Sequence, residues 1–267
     1  MQIAAIPPSA GFTASIFPLM KIRLDKLLMD RGLTPTRERA QAMILAGRVL
    51  VDEQKVEKPG HSVSADAVLR LLGEEPRYVS RGGIKLEAAL QRWSIDLTGR
   101  FCLDVGASTG GFTDCMLQHG AARVLAVDTG YGQIAQSLRS DARVTLMERT
   151  NARLLKPGAL PAGISFLSMD VSFIAATLVL PAVVRAIARE TGQDAGLEAV
   201  VLVKPQFEAG REHVGKGGIV RDAAAHRLAV ERVRECVTAL GGSDADVMES
   251  PITGTEGNRE FLLHCRW

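Results

Sequence analysis

Four charged residues stand where apolar runs end. Asp104 lies near the end of 101–105, Asp128 follows 123–127, Asp170 follows 164–169 and Lys204 follows 198–203. If those runs are parallel strands, ligands bind beyond their carboxyl ends, and polar residues there face the crevice. One charge at a strand end is ordinary solvation. Four of them, each closing an apolar run, point to a shared site.

The first run leads into Gly106-Ala107-Ser108-Thr109-Gly110-Gly111-Phe112. A Walker loop would need Lys after its last Gly, and none follows. A dinucleotide fingerprint would need Gly where Ser108 stands. Asp104, just before the loop, would repel a pyrophosphate but suits a cation. S-adenosylmethionine is such a ligand, with an ammonium, a sulfonium and no phosphate. The residues expected to hold it are Asp104, Gly106, Ser108, Thr109, Gly110, Gly111, Phe112, Asp128 and Asn151. Asp128 comes 22 residues after Gly106, the distance at which an acid reaches a ribose diol. Glu148 and Asn151 follow the third strand, near the expected adenine; either could equally cap local structure.

Two more charged residues join this set. Lys85 sits in Ser80-Arg81-Gly82-Gly83-Ile84-Lys85-Leu86, and Glu260 follows Gly257-Asn258-Arg259. A surface ion pair would account for any one of these lysines taken alone.

The elements that must position these residues alternate. Strands are predicted at 101–105, 123–127, 143–147, 164–169 and 198–203, with further strands at 246–249 and 260–265. Helices are predicted at 112–119, 133–139, 177–190 and 223–240, the last with Leu228, Val233 and Val237 inward. Such alternation implies an α/β domain with a doubly wound, Rossmann-like sheet. A Gly-rich, charged segment at 210–222, holding Lys216, reads as a loop on the substrate side.

Residues 21–79 read as a separate small α+β domain. Ile22, Leu24, Leu27 and Leu28 form a helical stripe stopped by Gly32. Thr34 and Pro35 read as a cap and first residue for the next helix, and strands follow. Between 21 and 48 there are seven basic and three acidic residues, a balance that suits a phosphate backbone. Residues 1–19 are apolar but hold three prolines and no basic start. They read as a tail or as sequence upstream of a start at Met20.

Composition narrows the function classes. With 46% hydrophobic residues and a net charge of +2, the 267-residue chain is built to fold. Twelve aromatics in all argue against a reader of single strands that works by stacking. Four scattered cysteines and five isolated histidines offer no metal-ligand spacing and suit a reducing cytosol. Beyond the proline-containing start, the longest uncharged run, 171–184, is too short to span a membrane.

Arg23-Leu24-Asp25-Lys26-Leu27-Leu28, Gly32, Thr36-Arg37, Ala40, Ile44, Gly47-Arg48-Val49 and Val51-Asp52 resemble the S4 RNA-binding domain. Glu53 departs from the pattern, standing where a turn glycine is expected. Leu103 to Asp114, Asp170-Val171-Ser172-Phe173, Leu202 to Glu208, Ser80 to Leu86 and Gly257 to Phe261 are similar to the TlyA family. Those proteins, also called haemolysins, join an S4 domain to an FtsJ-like ribosomal RNA 2′-O-methyltransferase. The resemblance implies a catalytic tetrad of Lys85, Asp170, Lys204 and Glu260, with S-adenosylmethionine as cofactor. It implies ribosomal RNA or subunits as partner, and RNA contacts through Arg23, Lys26, Arg37, Arg39, Arg48 and Lys216.

The residue types fit that chemistry. A ribose hydroxyl is a poor nucleophile and must lose its proton as it attacks. Lys204 is the expected base, with Lys85 stabilising the developing oxyanion and the two acids orienting both lysines. Two other classes remain: a membrane-active haemolysin, and an RNA-binding protein with an inactive second domain. The first lacks a membrane segment in the sequence. The second would require lost acid or glycine positions, and none is lost.

Overall fold

The computed structural model describes residues 21–73, 76–187, 196–254 and 256–267. The expectations for residues 1–20 and for the end of the helix predicted at 177–190 lie outside the described residues. The chain divides into two compact units, Met1–Glu75 and Pro76–Trp267.

The first unit holds β1 (Lys21–Arg23), α1 (Leu24–Asp30), α2 (Arg37–Leu45), β2 (Val49–Val51), β3 (Gln54–Lys55), β4 (Ser62–Ser64) and β5 (Leu69–Leu71). Strand β1 pairs with β4, and β3, β2 and β5 form a three-stranded sheet. Leu24, Leu27 and Leu28 bury one face of α1 against Ala40, Met43 and Ile44 of α2. Ile22 is not part of that helical stripe; it sits in β1 opposite Val63. The cap of α2 is Thr36, not Thr34: its hydroxyl accepts from Arg39 N at 3.2 Å, the third helical position that a cap must reach. Pro35 instead keeps residue 34 out of the helical region. Between β2 and β3 the turn residues Asp52 and Glu53 both have positive φ, 47° and 63°. The turn takes this shape without glycine because Asp52 Oδ1 accepts from Val68 N at 2.9 Å and Glu53 pairs with Arg70.

The second unit begins before its first helix. Residues 76–79, read from sequence as the end of the first domain, belong to it. Tyr78 is buried with its ring against Gly83, where any Cβ would strike it. Then follow α3 (Gly82–Arg92), β6 (Phe101–Val105), α4 (Gly111–Gln118), β7 (Arg123–Val127), α5 (Gln136–Arg139), β8 (Val144–Met147), β9 (Ile164–Met169) and α6 (Ala176–Ala186). The chain ends with β10 (Glu198–Val203), α7 (Pro205–Glu208), α8 (Ala223–Ala239), β11 (Ser243–Glu249) and β12 (Phe261–Arg266).

The seven strands lie in the order β11-β12-β10-β9-β6-β7-β8. Strands β10, β9, β6, β7 and β8 pair in parallel, and β12 runs antiparallel to both β10 and β11. Side chains alternate between two cores, as a pleated strand requires. From β10, Ala199, Val201 and Val203 join a core with α6 and α8, whereas Val200 and Leu202 join one with α3 and α4. All six residues of β10 are buried, and after Glu198 the strand reads as an unbroken apolar run. In α8 the buried stripe is Ala225, Ala229, Val233 and Val237, spaced by four. Leu228 falls one residue off that stripe and is exposed, contrary to expectation.

Asp104 is fully buried in β6, held by Thr113 Oγ1 at 2.6 Å and Ser168 Oγ at 3.2 Å. Burial pushes its carboxyl from 3.8 up to about 7, against the pull of those two hydroxyls. Between about pH 4 and 7 the folded protein therefore holds a proton that the unfolded chain has released. Stability attributable to Asp104 is full below pH 4 and declines through pH 7, by about 4 kcal/mol at 1.36 kcal/mol per pH unit. Asp104→Asn should remove that decline. In urea unfolding, the stability of the variant relative to wild type should rise by about this amount from pH 4 to 8. A difference constant with pH would mean that Asp104 does not titrate there.

Candidate active site

The glycine loop after β6 is shaped by close approaches. Gly106 has φ 88°, and a Cβ there would lie 2.3 Å from the carbonyl oxygen of Asp170. Ser108 also has positive φ, 49°. That conformation is stabilised by Asp128, whose Oδ2 accepts from Ser108 N at 2.8 Å while Oδ1 accepts from Gly130 N at 2.6 Å. Asp128 thus ties the loops after β6 and β7 together. Each of its oxygens keeps a further lone pair.

A cavity of about 460 Å³ opens between these loops. Val105, Val127, Ala152 and Val179 give it apolar walls, and Asp128, Asn151 and Asp170 stand on its polar side. Asn151 also caps a short turn, accepting from Arg153 N at 3.1 Å. Glu148 accepts from Gly132 N at 2.8 Å and pairs with Arg139. Asp104 lines neither this cavity nor the next; its partners are Thr113 and Ser168.

The second cavity, about 490 Å³, brings Lys85, Asp170, Lys204 and Glu260 together. Thr109, Gly111 and Phe112 of the glycine loop line it as well. Sheet register assembles three of the four charges. Lys204 follows Val203, which pairs with Phe261, the residue after Glu260. Asp170 follows Met169 on the next strand, paired with Val201. Lys85 enters from the first turns of α3. Lys85 Nζ lies 2.5 Å from Glu260 Oε2, with side chains 10% and 3% exposed. Lys204 Nζ lies 2.6 Å from Asp170 Oδ1, an ion pair without hydrogen-bond alignment. Its aligned bond goes to Ser172 Oγ, 2.7 Å away. Gly106, Ser108, Asp170 and Ser172 line both cavities, so the two are lobes of one crevice.

Several residues at this crevice escaped sequence reasoning. Ser172 and Phe173 belong to a motif read only for its aspartate. Phe173 is 94% exposed with φ 64°, an uncommon conformation for a bulky side chain. Gly254 lies so near Glu260 that a Cβ would meet Oε1 at 2.5 Å. Asn258 accepts from Val220 N at 2.9 Å and donates to Gly218 O at 2.8 Å, fixing the loop that carries exposed Lys216. Lys216 lines neither cavity.

In the first unit the basic residues are partly committed to structure. Arg23 and Arg37, each about half exposed, converge with Gln41 on the buried carboxylate of Asp25. The Arg23 hydrogen bond above all holds that carboxyl well below the usual range, against its burial. Arg48 donates to Leu72 O at 2.9 Å, Lys26 is exposed and Arg39 half-buried. Among the described residues, no helix is long and apolar enough to cross a membrane, and no cluster of metal-binding side chains occurs.

Residues 78–267 match the family described as FtsJ-like methyltransferase, and residues 22–69 match the S4 domain. The chain is 47% identical over 248 residues to YqxC of Bacillus subtilis, described as a candidate rRNA methyltransferase; the match covers 92% of this chain and 86% of that one. It is 43% identical over 247 residues to the 16S/23S rRNA (cytidine-2′-O)-methyltransferase TlyA of Mycobacterium tuberculosis, covering 92% and 90%. A solved structure from Streptococcus thermophilus, described as a candidate hemolysin, superposes with a TM-score of 0.68 at 43% identity, over 93% of this chain and 89% of that one.

The Lys85–Glu260 pair generates a stability prediction. Lys85→Met leaves the Glu260 carboxylate buried without its cation, which should cost about 3–5 kcal/mol in urea unfolding at pH 7. Adding Glu260→Gln should recover most of that loss. A single variant within 1 kcal/mol of wild type would mean that water reaches the pair.

Proposed function

The chain belongs to the TlyA family of S4-containing, FtsJ-like methyltransferases, and on that premise we propose that it methylates a ribose 2′-hydroxyl of ribosomal RNA. The cytidine named for the Mycobacterium relative is the proposed nucleoside, and cytoplasmic ribosomal subunits are the proposed substrate. The observation that carries the reading is the continuity of the crevice: the lobe bounded by Asp128 opens directly onto four clustered charges.

The first lobe fits S-adenosylmethionine. Its apolar walls suit an adenine, and its acids suit hydroxyls and positive charge but oppose phosphate. Gly106 has no side chain and lines this lobe, so its backbone is open to close approach. Asp128 would accept from the ribose diol through its remaining lone pairs. When bound, the cofactor supplies a methyl on a positively charged sulfur, which departs as a neutral thioether.

The chain's own groups do the rest. Lys204 Nζ, as a neutral amine, takes the proton from the ribose hydroxyl. Lys85, as a cation, stabilises the oxygen while charge develops on it. Asp170 orients Lys204, and Glu260 orients Lys85. Phe173, exposed at the mouth of the crevice, offers a face on which an unstacked base can rest. The S4 unit, with Arg23, Lys26, Arg37, Arg39 and Arg48, would contact RNA phosphates.

Substitutions at Asp128 and at the two lysines test the reading. Asp128→Ala should weaken S-adenosylmethionine binding roughly tenfold to 150-fold in calorimetry, the worth of a charge-assisted hydrogen bond; unchanged affinity in a folded variant would count against the cofactor lobe. Lys204→Ala should lower tritiated-methyl transfer onto 30S or 50S subunits by at least about 10²-fold, with a smaller loss of stability than Lys85→Met, because its partner Asp170 is 22% exposed. Lys204→Arg should fail nearly as badly, because a guanidinium does not give up its proton. If Lys204→Arg stays active while Lys85→Arg does not, the two lysines exchange roles.

A further inference from the structure

We propose that Ser172 is a positioning residue that aims the Lys204 lone pair at the ribose hydroxyl. The proposal rests on Lys204 being the base. A neutral primary amine has two N–H bonds and one lone pair, arranged tetrahedrally. Lys204 Nζ has one aligned acceptor, Ser172 Oγ at 2.7 Å, and the charge of Asp170 Oδ1 2.6 Å away, off the line of a hydrogen bond. With one hydrogen donated to Ser172 Oγ and the other held on the side of the Asp170 charge, the lone pair is left in the remaining direction, toward the cavity that all three residues line. The proton then passes from the ribose oxygen to Nζ. The resulting ammonium keeps both contacts and directs its new hydrogen at the oxygen it came from.

The Ser172–Lys204 distance is set by backbone. Asp170 N donates to Val105 O at 2.9 Å, which anchors one end of the segment from Asp170 to Ala176 on β6. The other end is held by Glu208, which accepts from Ala176 N and, at 2.9 Å, from Thr177 Oγ1. Glu208 ends α7, the turn that begins directly after Lys204. The segment that presents Ser172 is therefore clamped by the segment that presents Lys204. Ser172 itself is exposed to the cavity, which leaves room for one more methyl.

The test compares Ser172→Ala and Ser172→Thr in tritiated-methyl transfer onto ribosomal subunits, with S-adenosylmethionine affinity measured by calorimetry. Ser172→Ala should lower kcat roughly 10- to 100-fold, the scale of a misaimed catalytic group. The KM for subunits and the cofactor affinity should stay within about twofold, since neither lobe loses a binding group it depends on. Ser172→Thr keeps the oxygen and should restore kcat to within about threefold, because the acceptor is retained. Ser172→Ala with more than half of the wild-type kcat overturns the proposal. So does a kcat loss matched by lost cofactor binding, which would make Ser172 a ligand contact, or a threonine variant as poor as alanine. Lys204→Arg, run alongside, separates the two ideas. An active Lys204→Arg sinks the base assignment; an inactive one beside a fully active Ser172→Ala sinks only the role of Ser172.

Discussion

Strand β12 enters the sheet antiparallel, between β10 and β11, and the crevice depends on that insertion. Because β12 runs backwards, its first residue, Phe261, lies opposite the last residue of β10, Val203. Glu260 therefore reaches the rim to which β10 and β9 deliver Lys204 and Asp170. A parallel β12 would carry Glu260 to the far rim, about 20 Å away at 3.3 Å per residue. Buried apolar residues lie on both faces of β12, Leu262 on one and Leu263 and Cys265 on the other, so their burial alone would fix its register weakly. The far end supplies the missing specificity. Glu198, opposite Arg266, takes bonds from Arg266, His264 and Arg100. Burial works against its charge, yet those three partners hold its carboxyl down to about 2. A one-residue slip would break this pin and turn Glu260 to the other face.

Much of this was legible in the sequence because parallel strands leave a simple trace. Runs such as 199–203 are apolar throughout, and the first polar residue after each marks the rim on which the crevice opens. Lys204, Asp170 and Asp128 were found that way, and the observed strands match closely. Asp104 obeyed the same rule and misled it. It lies one residue before its strand ends, so its side chain turns inward to Thr113 and Ser168. Strand ends predict which rim a residue occupies, but facing depends on parity, and parity needs the last paired residue. Leu228 fails for a similar reason: periodicity locates a stripe only to within a residue.

Other features left no local signal at all. Tyr78 belongs to the second unit because Gly83 leaves space for its ring, a fact carried by a residue five positions away. Glu208 looks like an ordinary charged residue of a short turn, yet its carboxylate caps α6 across 32 residues of chain. The non-glycine turn at Asp52 and Glu53 is held from Val68 and Arg70. In each case the deciding contact is with a residue outside the site's own local pattern, and composition at the site itself cannot reveal it.

The two lobes of the crevice are joined through backbone. Gly106 packs so tightly on the carbonyl of Asp170 that no side chain fits between them, and Asp170 N in turn bonds Val105 O. The loop that borders the first lobe is thus joined to the carboxylate that serves the second. Asp128 extends the joint outward by holding Ser108 and Gly130 together, and Glu208 extends it inward by holding the start of α6. Methyl transfer needs donor and acceptor atoms aligned on one line, and misplacement by about 1 Å can cost two orders of magnitude in rate. A crevice whose halves share a backbone contact keeps that alignment through the covalent chain and its glycines, not through the reach of long side chains.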